Sequence, residues 1–162
     1  MIKAADLADT EAERIATVIA IAAARYFMIK YSRGKLITFD IDEALSFEGE
    51  SGPYLQYAVV RATNILRKLR EHDGTDETAL AESIAALSPD PLGDPEGTEL
   101  WGLVLEAARL DEVADQSVRA LELSVLAKYA FGLAQLFNTF YHSSPVIKEE
   151  RRDVRLWRAA AV

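Results

Sequence analysis

One face of a predicted helix groups polar and aromatic side chains that could bind nucleic acid. On a helical wheel they share an arc of roughly 80°, beside an apolar arc of roughly 120° that would face a core. The apolar arc contains Leu55, Ala58, Val59, Ala62, Ile65, Leu66 and Leu69. The polar arc contains Tyr54, Tyr57, Arg61, Asn64 and Lys68. Phenol rings can stack on bases, and a guanidinium or ammonium group can bind phosphate. Taken alone, such tyrosines are more often half-buried residues at the edge of a core, so both interpretations stay open.

A second candidate is a run of carboxylates in the segment FDIDEALSFEGESG. Carboxylates at such spacing could bind a metal or perform acid–base catalysis, although five acids in a loop are usually only solvated. They are Asp40, Asp42, Glu43, Glu48 and Glu50. The chain has no cysteine and only two histidines, His72 and His142, which excludes thiolate zinc sites. We therefore expect no catalytic residue, no metal site and no cofactor in this chain.

Composition and charge suit a single domain with a local basic surface. The 162 residues are half hydrophobic and carry a net charge of −8, so a full core is possible without disulfides. Fourteen acidic side chains and only two basic ones lie between Glu71 and Glu122, whereas basic residues are in excess elsewhere. Two basic groups stand out: Arg61, Arg67, Lys68 and Arg70, and Lys148, Arg151, Arg152, Arg155 and Arg158. A nucleic-acid contact is thus possible at a local patch.

Nothing in the sequence predicts a membrane protein. The longest uncharged run, Ile15 to Ala24, is far shorter than the roughly 20 residues that span a bilayer. No signal-peptide pattern opens the chain. We expect a soluble protein of the cytoplasm.

Helical periodicity and helix-start signals predict an all-α bundle. Thr10 and Glu13 have capping-box spacing for a helix that runs to about Tyr31, and a short extended connector is expected near residues 36–41. Pro53 suits the first turn of the next helix, capped by Ser51 or Gly52 and ending near His72. Thr75 is expected to cap a shorter helix through Leu87.

The second half of the chain is predicted to be helical after a proline-rich loop, SPDPLGDPEG, at residues 88–97. Residues 99–110 and 111–142 are expected to be helices, the latter long enough to be two, and an exposed amphipathic helix is expected at 148–162. The recurring apolar positions of the long segment are assigned to the core: Leu126, Tyr129, Ala130, Leu133, Leu136, Phe137 and Phe140.

The first helix is apolar nearly all round its axis. Ile15, Val18, Ile19, Ile21, Tyr26, Phe27, Met28 and Ile29 point in all directions, so one bundle face cannot cover them. Because large exposed apolar patches are uncommon on soluble monomers, we expect either a homodimer through this helix or a catalytic partner bound there.

The sequence resembles the carboxyl-terminal part of the arginyl-tRNA synthetase family. The residues that match are FDIDEALSFEGESGPYLQYAVVRATNILRK, then LAKYAFGLAQLFNTFYHSSPVI and RRDVRLWRAAAV. The resemblance implies that residues 1–50 are a helix and connector from the end of the catalytic domain. It implies that residues 51–162 are a DALR-type anticodon-binding helical bundle, truncated at its C-terminus because family members continue through a further helix.

The resemblance also implies a partner and a set of binding residues. Tyr54, Tyr57, Arg61 and Tyr141 are expected to face the anticodon arm of arginine tRNA, and Asn64, Lys68, Asn138 and His142 are further candidates. ATP-dependent attachment of arginine would be carried out by a class I catalytic domain, in cis or in trans, because the class I nucleotide-binding signature is absent here.

Two further expectations accompany this resemblance. The family has a proline where this chain has Leu123, so the long helix is expected to run on without the usual break. Two alternative functions remain open: a stand-alone regulatory domain that binds tRNA or protein, and a structural module that docks through its first helix without contacting RNA.

Overall fold

The computed structural model describes residues 9–88 and 96–162, and this part of the chain contains eight α-helices and no β-strand. In chain order they are α1 (Asp9–Ile29), α2 (Ile41–Leu45), α3 (Gly52–Asp73), α4 (Glu77–Ala86), α5 (Glu96–Ala107), α6 (Leu110–Ala120), α7 (Leu123–Ser143) and α8 (Arg152–Ala160). The prediction of an all-α fold is confirmed.

Local capping chemistry accounts for the bounds of α3. The side chain of Ser51 accepts a hydrogen bond from the backbone N–H of Tyr54, and Pro53 occupies the first turn. At the other end Gly74 has a φ of 66° and donates its N–H to the carbonyl of Arg70, a left-handed cap that glycine adopts without strain. The predicted start of this helix is confirmed, and its end differs from the prediction by one residue.

Several predicted boundaries were wrong. Thr10 lies inside α1 instead of capping it, and the cap of α4 is Asp76, not Thr75. Residues 36–40 form no regular element, and the following residues of the acidic segment form α2, capped by Asp40. Part of the expected loop at 88–97 lies outside the described residues, and α5 already begins at Glu96.

Residues 111–142 form two helices, as their length allowed, whereas the expected continuous helix through Leu123 is wrong, because residues 121 and 122 separate α6 from α7. Leu121 adopts a left-handed conformation with a φ of 52°, which is costly for a residue with a β-carbon. The hydroxyl of Ser117 donates to the carbonyl of Glu122, and the N–H of Glu122 returns a bond to the carbonyl of Ser117. These bonds satisfy the backbone at the break without a proline.

The core forms where α3 and α7 pack with α4, α5 and α8. Its largest fully buried side chains include Leu69, Leu100, Phe140 and Leu156. Two residues predicted for the core are instead exposed: Val59 is 64% exposed and Leu136 42%. Val59 borders an open apolar groove of about 520 Å³ between α3, α5 and α7, because no helix of the described part covers that side of α3.

Helix α1 packs on α3 and α7 with only part of its surface. Ala23, Tyr26 and Phe27 are buried, and the hydroxyl of Tyr26 donates to the carbonyl of Ala127 at 3.1 Å. Four of its other large apolar side chains are exposed: Val18, Ile21, Met28 and Ile29. The expectation that apolar surface is left over on this helix is confirmed. In the described part of the chain, no helix is both long and apolar enough to cross a membrane.

Helix α8 differs from the exposed amphipathic helix that was predicted. It begins only at Arg152, and Arg155 and Arg158 are buried. The guanidinium of Arg155 donates to both carboxylate oxygens of Asp73, at 2.9 and 3.2 Å, and that of Arg158 pairs with Glu149 at 3.0 Å. A buried charge needs a partner, and these ion pairs join α8 to the end of α3 and to the preceding loop.

Candidate nucleic-acid interface

A guanidinium group lies over two aromatic rings at the junction of α3 and α7. The guanidinium carbon of Arg61 is 4.6 Å from the ring centroid of Tyr57 and 4.7 Å from that of Tyr141. Both distances are within the range of cation–π attraction. Tyr57 precedes Arg61 by one helical turn of α3, whereas Tyr141 comes from α7, so the stack exists only where the two helices pack.

Asn138 of α7 connects this stack to Tyr54. Its Oδ1 accepts a hydrogen bond from Nη1 of Arg61 at 2.7 Å, and its Nδ2 donates to the hydroxyl of Tyr54 at 2.9 Å. Nη2 of Arg61 donates to the hydroxyl of Tyr57 at 2.9 Å. We refer to Tyr54, Tyr57, Arg61, Asn138 and Tyr141 together as the α3–α7 platform.

Two phenylalanines of α7 support the platform from behind. The ring of Phe131 lies 5.3 Å from that of Tyr54, and the ring of Phe137 lies 6.2 Å from that of Tyr141. Phe137 is buried in the core. Sequence analysis assigned Phe137 only to the core and missed Phe131, although their spacing from Tyr141 and Asn138, four and seven residues, places them on the same side of a helix.

The platform is accessible to a ligand. The side chain of Tyr57 is 48% exposed, and the other four members are partly exposed. Aromatic faces held by fixed neighbours can stack on unpaired bases. Arg61 has five N–H donors, of which two are used in these side-chain bonds. The arrangement can therefore combine stacking, hydrogen-bond donation and a positive charge.

The other predicted site residues lie outside the platform. Asn64 accepts weakly from Arg67, at 3.4 Å, and Lys68 is exposed further along α3. His142 is exposed at the end of α7, with its ring 6.1 Å from that of Tyr141. The structure thus brings together five of the eight predicted residues, places His142 at their edge, and leaves Asn64 and Lys68 on the neighbouring surface of α3.

Two predicted basic residues are not available to phosphate. Arg155 and Arg158 are buried in ion pairs, which contradicts the exposed role expected for that helix. Burial raises the pKa of Asp73, but its hydrogen bonds with His72 and Arg155 lower it by more, so the carboxyl group has a pKa below its usual value. Arg155 therefore stabilises the fold through a charged partner.

The carboxylates of the connector have structural contacts. Asp40 accepts from the backbone N–H of Glu43 at 3.0 Å, and Glu43 pairs with the buried Nζ of Lys30 at 2.6 Å. The same ammonium group donates to the carbonyl of Glu50 at 2.9 Å. These contacts attach the connector to the end of α1. Within residues 9–88 and 96–162, no cluster of three or more potential metal ligands is present.

The chain is similar in sequence to one family model and to known proteins. Residues 55–161 match the family model described as the DALR anticodon binding domain. An arginine–tRNA ligase of Pyrococcus abyssi is 39% identical over 162 residues, 99% of this chain and 24% of that protein. One of Thermococcus kodakarensis is 39% identical over 97% of this chain and 24% of that protein.

A solved structure shows the same fold. The arginyl-tRNA synthetase of Thermus thermophilus superposes with a TM-score of 0.74 and 30% sequence identity, over 96% of this chain and 25% of that one. The chain thus spans about a quarter of the length of the relatives that it matches.

Proposed function

This chain belongs to the DALR anticodon-binding domain family, and we propose that it binds the anticodon arm of an arginine tRNA as the non-catalytic part of an arginyl-tRNA synthetase. The observation that supports this most directly is the stack of Arg61 between Tyr57 and Tyr141. Anticodon bases are unpaired, so they can leave their own stack and pack against aromatic side chains. A partly exposed group of aromatic rings around a guanidinium group suits such a ligand.

The chemical step is assigned to residues outside this chain. In the proposed enzyme, ATP and arginine would bind to a class I catalytic domain, and this domain would contribute binding energy and anticodon discrimination. No cofactor is proposed for the domain itself. We place this function in the cytoplasm, because that is where the proposed enzyme would meet its tRNA.

The catalytic domain is also the proposed partner of α1. Val18, Ile21, Met28 and Ile29 expose an apolar surface on this helix, and a shallow apolar cleft between α1 and α3 adjoins it, with Leu55 and Gln56 on the α3 side. We propose that the catalytic portion of the same enzyme covers this surface, because the chain spans only about a quarter of the length of its relatives. A second copy of this chain bound to the same face is the competing outcome.

A stand-alone tRNA-binding or protein-binding role without aminoacylation is the alternative function. The α3–α7 platform would serve a regulatory RNA-binding domain equally well, so the two functions differ in the partner on α1. Restored arginylation by a separately expressed catalytic domain would support the synthetase assignment.

Titration of the chain with an arginine-tRNA anticodon stem-loop tests the proposal. We expect weak binding that decreases steeply between about 50 and about 200 mM salt, because phosphate contacts release counterions and the acidic segment repels the RNA. A stem-loop of the same length with an unrelated anticodon is the control for discrimination. Absence of binding, equal affinity for both loops, or affinity that does not depend on salt would contradict the proposal.

A further inference from the structure

The orientation of the Asn138 amide is determined by its neighbour on α3. A guanidinium group can only donate hydrogen bonds, so the atom of Asn138 that faces Nη1 of Arg61 at 2.7 Å must be the carbonyl oxygen. The NH₂ group of the same amide then has to face the hydroxyl of Tyr54, to which it donates at 2.9 Å. The chemistry of Arg61 therefore fixes the direction of both hydrogen bonds.

This direction decides the role of each phenol. The hydroxyl of Tyr54 accepts from Asn138, and the hydroxyl of Tyr57 accepts from Nη2 of Arg61 at 2.9 Å. A phenol has one proton to donate. Across residues 9–88 and 96–162, neither hydroxyl donates to a protein acceptor. Both protons are thus left for an acceptor outside the described part of the chain.

We infer that Asn138 is a positioning residue that passes the hydrogen-bond polarity fixed by Arg61 on to Tyr54, so that the hydroxyl of Tyr54, like that of Tyr57 beside Arg61, binds acceptors of the RNA. The ligand atoms selected are base carbonyl oxygens, unprotonated ring nitrogens or phosphate oxygens, and base amino groups are disfavoured. This inference rests on the proposed function, because it specifies which atoms of an anticodon arm the platform recognises. It assigns Asn138 a role in specificity in addition to its contact between α3 and α7.

The substitution Asn138→Asp tests this polarity at nearly constant shape. A carboxylate beside Arg61 stays ionised and still accepts from it, but its second oxygen can only accept. The proton of Tyr54 then turns inward, and the hydroxyl can no longer donate to RNA. We expect the affinity for the arginine-tRNA anticodon stem-loop to decrease about three- to tenfold, the loss of one hydrogen bond, with the circular dichroism spectrum unchanged.

The added negative charge requires its own control. Gln135→Glu places the same charge on α7 three residues before Asn138, at an exposed residue outside the platform, so it reports the loss caused by charge alone. In a Tyr54→Phe background, Asn138→Asp should cost no more than Gln135→Glu, because the proton that it redirects is already absent. An additive effect of the two changes would overturn the inference.

Substituted RNAs distinguish the two sources of acceptor. Methylphosphonate linkages remove one charged phosphate oxygen at a time, and base analogues remove one carbonyl or ring nitrogen at a time. When the RNA atom that accepts from Tyr54 is the one removed, the unsubstituted chain and Tyr54→Phe should bind that RNA with equal affinity. If only substitutions of amino groups remove this difference, the inferred polarity is wrong.

A measurement without RNA tests the premise independently. The side-chain NH₂ resonances of Asn138 should shift in Tyr54→Phe, because the amide loses its acceptor, and unchanged resonances would overturn the inference whatever the RNA does. If the unsubstituted chain binds no RNA, the proposed function fails. If it binds RNA, and Tyr54→Phe and Asn138→Asp bind as well as the unsubstituted chain, only the inference about Asn138 fails.

Discussion

Arg61 and Tyr141 face each other across the junction of two helices, with the guanidinium carbon 4.7 Å from the ring centroid. Their contact joins α3 to α7 at the surface, above the core side chains that join the same helices inside. A cation–π contact of this kind is worth about 0.5–2 kcal/mol. The ring of Tyr141 is thereby held in place before any ligand arrives, which reduces the entropy lost on binding.

Replacing Tyr57 by alanine should weaken RNA binding and leave the fold intact. Loss of a stacked base is expected to cost about 1–3 kcal/mol of binding free energy, whereas the ring is 48% exposed and contributes little to the core. Fluorescence anisotropy with the anticodon stem-loop and thermal unfolding measure the two effects. Phe47→Ala removes another exposed aromatic ring from the connector and should leave binding unchanged. Unfolding of Tyr57→Ala would show that the ring is a core residue.

Arg61→Lys should reduce RNA binding although the charge is retained. Lysine lacks the planar fork that donates to Asn138 and Tyr57 at once, so both the stack and the hydrogen-bond polarity would be lost. Arg67→Lys is the matched control, since Arg67 lies on the same helix in an exposed pair with Glu71. Equal affinities of the two variants would mean that only charge matters at Arg61.

The stability of the domain should decrease in acid through Asp73. Because the pKa of this carboxyl group is lowered in the folded protein, its ion pair stabilises the fold above the ordinary value of about 3.9, and this contribution is lost as the pH falls through the folded pKa. Urea unfolding at a series of pH values should show the free energy of unfolding decreasing steeply below about pH 4. Asp73→Asn should make this decrease less steep and cost about 1.5–3 kcal/mol at neutral pH, whereas Glu48→Gln should leave its steepness unchanged.

Two glycines should respond to alanine in opposite directions. A β-carbon at Gly52 would lie 2.8 Å from the Cα of Ala23, so Gly52→Ala must push α1 away from α3. We expect it to lower the free energy of unfolding by about 1–3 kcal/mol. A β-carbon at Gly132 would meet no atom within 4 Å. Gly132→Ala should therefore raise the free energy of unfolding by about 0.5–1 kcal/mol. Thermal unfolding compares the two variants. An increase in the stability of Gly52→Ala would contradict the close approach of Gly52 to Ala23.

The exposed face of α1 should bind a catalytic domain. Ile21→Glu with Met28→Glu changes two exposed side chains, so it should abolish co-purification with a separately expressed catalytic portion while preserving the helix content. Phe27 is unsuitable for this test because it is buried. Light scattering tests the alternative of a second copy. If the unsubstituted chain is a dimer and the double variant is a monomer, this face of α1 is a dimer interface. A monomer that binds neither would show that the face has no partner.

The sequence alone determined the elements whose signals are local. Ser51 and Pro53 begin α3 and Gly74 ends it, because capping and backbone freedom act within a few residues. Helical periodicity, which also depends only on nearby residues, placed Tyr54, Tyr57 and Arg61 on one side of α3. The length of the segment 111–142 allowed two helices, but the sequence did not say where they separate, because a leucine in the left-handed conformation, as at Leu121, has no sequence signal.

Only the tertiary structure decided what faces these side chains. A helical wheel gives directions around one axis and cannot tell which helix lies opposite, so the bond from Arg61 to Asn138, 77 residues away, follows from the packing of α3 on α7. Burial of Arg155 was likewise unpredictable, because an arginine among acidic residues is usually exposed and its partner Asp73 is 82 residues away. A charged side chain can be buried only when a distant segment supplies its counter-charge.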